Sequence, residues 1–288
     1  MSTSTNPLLS DRDVDFLLYE VHDAQSLFAL DAFREHSRET ADLFLASVRR
    51  FARERVFPAY RATEDEPPTF RDGRMFVHPA MHALYPQMAE MGLISAPRTP
   101  EHGGLGMPFT LFVAASAYVM AASTAIYGWI GLTSGAAHLI ESFGTDELRE
   151  RFMRPMYEGR WTGTMALTEP HAGSSVGDAR TRATPAGDGS YRIEGTKIFI
   201  SGGDNDFAEN VVHLTLARID GAAPGTRGLS LFAVPRLRPE GDALVDNDVH
   251  VAGAIHKLGW KCLPSVVLNY GERGDCRGWL VGEAGRGM

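Results

Sequence analysis

A single change of hydrophobic period near Gly159 constrains this chain more than any other feature. Before it, apolar residues recur at helical spacing. From Ala41 they fall at Phe44, Leu45, Val48, Phe51, Ala52 and Val56, one face of a helix, with Arg49, Arg50, Arg53 and Glu54 outside the stripe. After it, Trp161, Gly163, Met165 and Leu167 alternate with Thr162, Thr164, Ala166 and Thr168, the repeat of a strand. A chain of 288 residues has room for two domains, and the switch sets their boundary.

Further helices are expected in the first half. EDEPPTF (Glu64 to Phe70) reads as a loop, because Pro67-Pro68 cannot continue a helix. A helix starts near Pro79 with Met81, Leu84, Tyr85 and Met88 on one face; Gly92 ends it and Pro86 kinks or shortens it. Between Glu101 and Glu141 there is no Asp, Glu, Lys or Arg. That run is long enough to span a bilayer, but Ala, Ser, Thr and Gly dilute it and Ser123-Thr124 breaks it, so two buried helices are expected rather than a membrane span. In FGTDELRERFMRPMYEG, Thr145 is the expected N-cap, with Leu148 and Phe152 pointing inward.

In the second half, RTRAT (Arg180 to Thr184) and YRIEG (Tyr191 to Gly195) flank the turn AGDG as a hairpin. KIFIS (Lys197 to Ser201), VVHLTLARI (Val211 to Ile219), LSLFAV (Leu229 to Val234) and SVVLNY (Ser265 to Tyr270) continue the series. The expected class is α+β, an N-terminal all-α bundle followed by an antiparallel β-barrel or sandwich.

A formal charge of -8, with cations scattered, argues against nucleic acid. Cys262 and Cys276 lack CxxC spacing and fit reduced thiols, and MSTSTNPLLSDRD lacks the pattern of a secretory signal; a cytoplasmic setting is expected.

Chemistry concentrates where the first strand ends. At Thr168 it enters EPHAGSS, a turn whose small residues let a phosphate or planar ring approach backbone N–H groups. KIFIS ends on Phe199, an aromatic face, and Ser201, a hydroxyl, before Gly202-Gly203. If the two strand ends are neighbours, they present two hydroxyls and a ring around one site. An ordinary surface turn at each place is the competing reading.

MALTEPHAGSS (Met165 to Ser175) resembles the signature of the FAD-dependent acyl-CoA dehydrogenases. Further pieces similar to that family follow in its order: LISAPRTPEHGGLGMP, IESFGTDELRERFMRPMYEGRWTG, IEGTKIFIS, HKLGW and VGEAGRGM. NPLLSDRDVDFLLYEVHDAQSL and KIFISGGDNDFAENVVHLTLAR look like the larger bacterial branch that includes 3-methylmercaptopropionyl-CoA dehydrogenase. The resemblance implies an N-terminal extension at 1–40, a helical domain at 41–159, a middle β domain at 160–283 and the start of a C-terminal domain at 284–288. It implies FAD as cofactor and α,β-dehydrogenation of an acyl-CoA, with hydride transfer to the flavin. Electron-transfer flavoprotein is the implied acceptor, or oxygen in an oxidase relative, and the complete family protein is a homo-oligomer.

Carried over by residue, Met165, Ala166, Leu167 and Thr168 would lie along the isoalloxazine, with Thr168 hydrogen-bonding it. Gly173 and Ser174 would meet the pyrophosphate or the acyl-CoA, Ser174 being the substrate-side candidate. Phe199, Ile200 and Ser201 match the family's aromatic-aliphatic-hydroxyl triplet. The sequence departs from the family at Ser175, where many members have Asp, and at Phe199, where many have Trp.

The family's catalytic Glu comes from a C-terminal four-helix domain, expected to be missing because the chain ends at Met288. Glu169, beside Pro170, reads as a structural acceptor for backbone N–H groups, so no catalytic residue is assigned. Alone, the chain is expected to hold flavin weakly or not at all. Three rivals are weighed. Gly173 to Gly177 fits GxSxG, but a hydrolase elbow needs a helix directly after the Ser. His78 and His82 have metal-ligand spacing, yet Pro79 separates them, so no metal is expected. The third is a non-catalytic binding or scaffold subunit of the same fold.

Overall fold

The computed structural model describes residues 8–241 and 243–288. Residues 1–7, on which the reading of the N-terminus as lacking a secretory signal partly rests, lie outside them.

Helix α1 (Asp11–Asp15) is capped by the Ser10 hydroxyl and runs into a wide π turn at Phe16–Val21. Val14, Leu18 and Ala24 are buried in the main core, so this part of the extension packs on the bundle. Helix α2 (Arg38–Phe51) opens on a capping box between Ser37 and Thr40. A second π turn, Ala52–Val56, leads into α3 (Phe57–Asp65). The helical stripe is therefore longer than the sequence suggested, and the EDEPPTF loop shorter. Glu64 and Asp65 remain helical, and Thr69-Phe70 enter a small hairpin of β1 (Thr69–Arg71) and β2 (Arg74–Phe76) inside the supposedly all-α half. Strands of three residues show too little alternation to be seen in a sequence.

Helix α4 (Ala80–Glu90) continues through Pro86, which lies in its interior and has no N–H to give to the helix ladder. Helices α5 (Phe109–Ala122) and α6 (Thr124–Phe143) part at Ser123, whose hydroxyl accepts the Ile126 N–H. No helix among the described residues is long and apolar enough to cross a membrane. Helix α7 (Asp146–Leu148) is capped by Thr145 as expected, and a π turn joins it to α8 (Arg154–Tyr157).

The remaining strands are β3 (Trp161–Ala166), β4 (Arg182–Pro185), β5 (Tyr191–Ser201), β6 (Asn210–Ile219), β7 (Leu229–Pro235), β8 (Leu237–Glu240), β9 (Ala243–Asp246), β10 (Val249–Ile255), β11 (Ser265–Tyr270) and β12 (Arg277–Val281). Pairings β5–β12–β7–β6–β4 return to β5, closing a barrel. Strands β11 and β10 extend from β5, and β3 lies outside β6 as the last strand of its sheet. Two features correct the expected pattern. YRIEG and KIFIS form one continuous strand, β5. The barrel is mixed, since β3 and β4 both run parallel to β6.

The architecture is α+β, but its core is not divided at the period switch. Leu214, Leu216 and Leu231 of the barrel belong to the same buried cluster as Trp129, Ile130 and Ile140 of α6. At the switch itself, Gly159 has φ 73°, and a Cβ there would lie 2.3 Å from that of Ala89. Only glycine lets the chain turn from α8 into β3 while α4 packs against it.

Candidate active site

The site is built where β3 ends. Strand β3 pairs with β6 through Ala166, and the next residues have no ladder partner on β6. Strand β5 supplies one. The Ile198 N–H donates to the Thr168 C=O (2.9 Å), and Lys197 Nζ donates to the Leu167 C=O (3.0 Å). Further along, the Thr164 hydroxyl donates to the Ser201 C=O. The two strand ends are thus neighbours and run antiparallel. Thr168 sits level with Ile198 and Ser201 level with Thr164, so their hydroxyls lie about four residues apart along the strand, roughly 13 Å.

The turn after Thr168 is tightly closed. Glu169 and Ala172 exchange backbone hydrogen bonds of 2.9 and 3.0 Å. The Glu169 carboxylate accepts the backbone N–H groups of Arg180 (2.7 Å) and Thr181 (3.0 Å), the structural role expected of it. It also pairs with Lys197 at 2.8 Å, a contact that the sequence reading missed; the two side chains are 3% and 0% exposed. Burial works against the Glu169 charge, but hydrogen bonds from Lys197, Thr181 and the Arg180 N–H outweigh it and lower the carboxyl to about 2. Burial likewise lowers the Lys197 ammonium, and Glu169 partly restores it. One signal was available: Lys197 shares the parity of Ile193, which is buried in the barrel.

Phe199 is the most strained of the candidate residues. Its φ is 62°, the left-handed region, which costs a residue with a Cβ about 1–2 kcal/mol. The cause is a bulge: between the pairs Val266–Ile200 and Leu268–Lys197, both Ile198 and Phe199 oppose a single residue of β11. The bulge turns the ring out of the sheet and leaves Phe199 58% exposed.

The other candidates separate by strand parity. Ala166 and Ile200 are buried in the barrel's own cluster, while Met165 and Leu167 are half-buried against the main core. Their side chains cannot all face one ligand. Main-chain groups can. The Gly163 N–H donates to Thr133 Oγ1 and the Trp161 C=O accepts from the Tyr85 hydroxyl. Odd residues of β3 therefore aim their peptide groups away from β6, and Met165 follows the same parity onto the sheet's open edge. Gly173 and Ser174 are exposed, and a Cβ on Gly173 would meet only Thr168 Cγ2, at 3.8 Å.

The rival motifs fare differently. A single 3-10 turn, Val176–Asp178, follows Ser175, so the helix that a nucleophile elbow needs is not there. His78 lies 3.6 Å from Glu66 and His82 3.2 Å from Asp206, each beside a carboxylate on a separate segment.

A helical bundle that shares its core with a closed mixed barrel and presents a strained, exposed aromatic ring defines an α+β protein of two packed layers. Comparison with known proteins says which. The model of the acyl-CoA dehydrogenase N-terminal domain matches residues 38–160, and that of the acyl-CoA dehydrogenase middle domain matches residues 164–268. The chain belongs to the acyl-CoA dehydrogenase family.

It is 35% identical over 279 residues to 3-methylmercaptopropionyl-CoA dehydrogenase of Ruegeria pomeroyi, covering 96% of this chain and 47% of that protein. Among solved structures, Caenorhabditis elegans ACDH-11 in complex with C11-CoA superposes with a TM-score of 0.75 at 25% identity, over 99% of this chain and 48% of that one. An acyl-CoA dehydrogenase of Bacillus anthracis complexed with FAD has the same fold, with a TM-score of 0.69 at 24% identity, over 88% of this chain and 40% of that one. The chain spans about half the length of the curated relatives it matches.

Proposed function

We propose that this chain is the flavin- and acyl-CoA-presenting part of an enzyme that removes hydrogen from the α and β carbons of an acyl-CoA thioester. The observation that carries the reading is the pairing of Phe199, held outward in a left-handed conformation, with Thr168, fixed beside it by β5. A planar isoalloxazine fits such a place, because an exposed ring can stack on it and an open strand edge can hydrogen-bond its polar rim. FAD, when bound, supplies the hydride acceptor.

The protein's own groups then divide the work. Phe199 packs the ring, the Thr168 hydroxyl and the Met165 peptide meet its polar edge, and Ser201 donates from the far end of the same strip. Ile200, Ala166 and Leu167 shape the floor through their backbones and packing. Gly173 and Ser174, on the uncrowded turn, face the pyrophosphate or the acyl-CoA, Ser174 on the substrate side. Glu169 is already committed to Lys197 and two N–H groups, so the proton-abstracting role is assigned to none of the described residues.

The proposed electron acceptor is electron-transfer flavoprotein, and the proposed working form is a homo-oligomer. Cys262 and Cys276, both buried and unpaired, suit a reducing compartment, so the cytoplasm is the proposed location.

The test is to add FAD to the purified protein and follow its fluorescence and visible spectrum. A straight-chain acyl-CoA is then added without oxygen. Saturable FAD uptake, even if weak, that Phe199→Ala weakens supports the reading; saturable uptake that Phe199→Ala leaves unchanged overturns it. Bleaching on acyl-CoA addition would show that the base is also present.

A further inference from the structure

Residues 167 to 169 offer three successive acceptors, the Leu167 and Thr168 carbonyls and the Glu169 carboxylate. Two successive donors of β5 hold all three: Lys197 Nζ reaches the first and third at 3.0 and 2.8 Å, and the Ile198 N–H takes the second at 2.9 Å. This happens where β3 has left β6 and Pro170 can donate nothing. Phe199 is the next residue on the donor side, at the bulge.

We propose that Lys197 and Glu169 are a positioning pair for flavin: together they fix the Thr168 peptide and hydroxyl on one strand and hold the bulge that turns Phe199 outward on the other. The inference rests on the flavin reading above. A fully buried ion pair adds little stability over an apolar pair of similar size, so its presence points to a geometric role. Its placement supplies that role. The lysine bridges the two residues flanking Thr168, and its own backbone precedes the bulge by one residue. If the lysine is lost, the Leu167 carbonyl loses its side-chain donor and the Glu169 carboxylate keeps only the Arg180 and Thr181 N–H groups, so the Leu167–Thr168 peptide is held less firmly.

The test uses the full protein with three variants: Lys197→Met, Glu169→Gln and the two combined. Either single change leaves a buried charge unpaired and can unfold the protein. The double variant removes both charges and keeps the volume, although the glutamine amide leaves one of the Arg180 and Thr181 N–H groups without an acceptor, so its melting temperature is expected to fall less than that of either single variant. Its FAD dissociation constant is nevertheless expected to rise at least about tenfold, the equivalent of one charge-assisted hydrogen bond. At saturating FAD, its visible flavin band and midpoint potential should be displaced from the parent's. Those two readouts report ring environment, and a purely structural pair would leave them unchanged.

A double variant with the parent's FAD affinity, band position and potential overturns the positioning role and leaves the flavin reading standing. A double variant that does not fold also overturns it, because the pair is then needed for the fold itself. Saturable FAD uptake by the parent that Phe199→Ala leaves unchanged overturns the flavin reading, and the positioning role falls with it.

Discussion

At most strand positions, alanine is more stable than glycine by about 0.5–1 kcal/mol, because glycine loses more backbone freedom on folding. Phe199 should invert that order. With φ at 62° and the ring 58% exposed, its side chain contributes less packing than a buried phenylalanine while its Cβ strains the backbone. Phe199→Ala removes the ring and keeps the Cβ strain of about 1–2 kcal/mol. Phe199→Gly removes both. The ring's contribution cancels between the two variants, so glycine should be the more stable by about 0.5–1 kcal/mol. Urea unfolding followed by circular dichroism reads the difference directly. With a denaturant slope near the top of the usual range, about 3 kcal/mol/M, the glycine variant should unfold at a midpoint roughly 0.2–0.3 M higher. FAD binding should weaken in both, by about two- to tenfold, since the lost aromatic face is common to them. An alanine variant as stable as the glycine variant, or more so, would refute the claim that the protein holds strain at the ring it presents.

Gly159→Ala meets both a positive φ and a Cβ only 2.3 Å from that of Ala89. It should cost about 2–5 kcal/mol in denaturant unfolding, with part of the loss recovered by Ala89→Gly. For pH, Glu169 is lowered from its ordinary 4.5 to about 2, so the stability it contributes is complete above 4.5 and is lost as pH falls towards 2. Thermal melts of Glu169→Gln should therefore lose less stability between pH 5 and 2 than the parent does; parallel curves would contradict the ion-paired state of Glu169. Ser123→Ala deletes the cap between α5 and α6 and should cost about 1 kcal/mol, with an unchanged melting temperature as the contrary result.

The acyl-CoA dehydrogenase assignment and the α+β order were legible in the amino-acid sequence because both depend on local information. Amphipathic spacing marked α2 and α4, Ser123 and Thr145 marked helix starts, and the turn residues of AGDG marked the β4–β5 hairpin. The MALTEPHAGSS signature likewise sits within a dozen consecutive residues. Local pattern failed where strands were too short to alternate, as in β1 and β2, or where one strand crossed several partners, as β5 does.

Relations between segments distant in sequence were decided only in three dimensions. Nothing in KIFIS says that Lys197 will meet Glu169, 28 residues earlier, or that β11 will force a bulge at Phe199. Nor does the period switch at Gly159 reveal that bundle and barrel share one core. Hydrophobic period and capping follow from neighbours along the chain, whereas a buried charge and a strained φ are tolerated only because the surrounding strands leave no other arrangement.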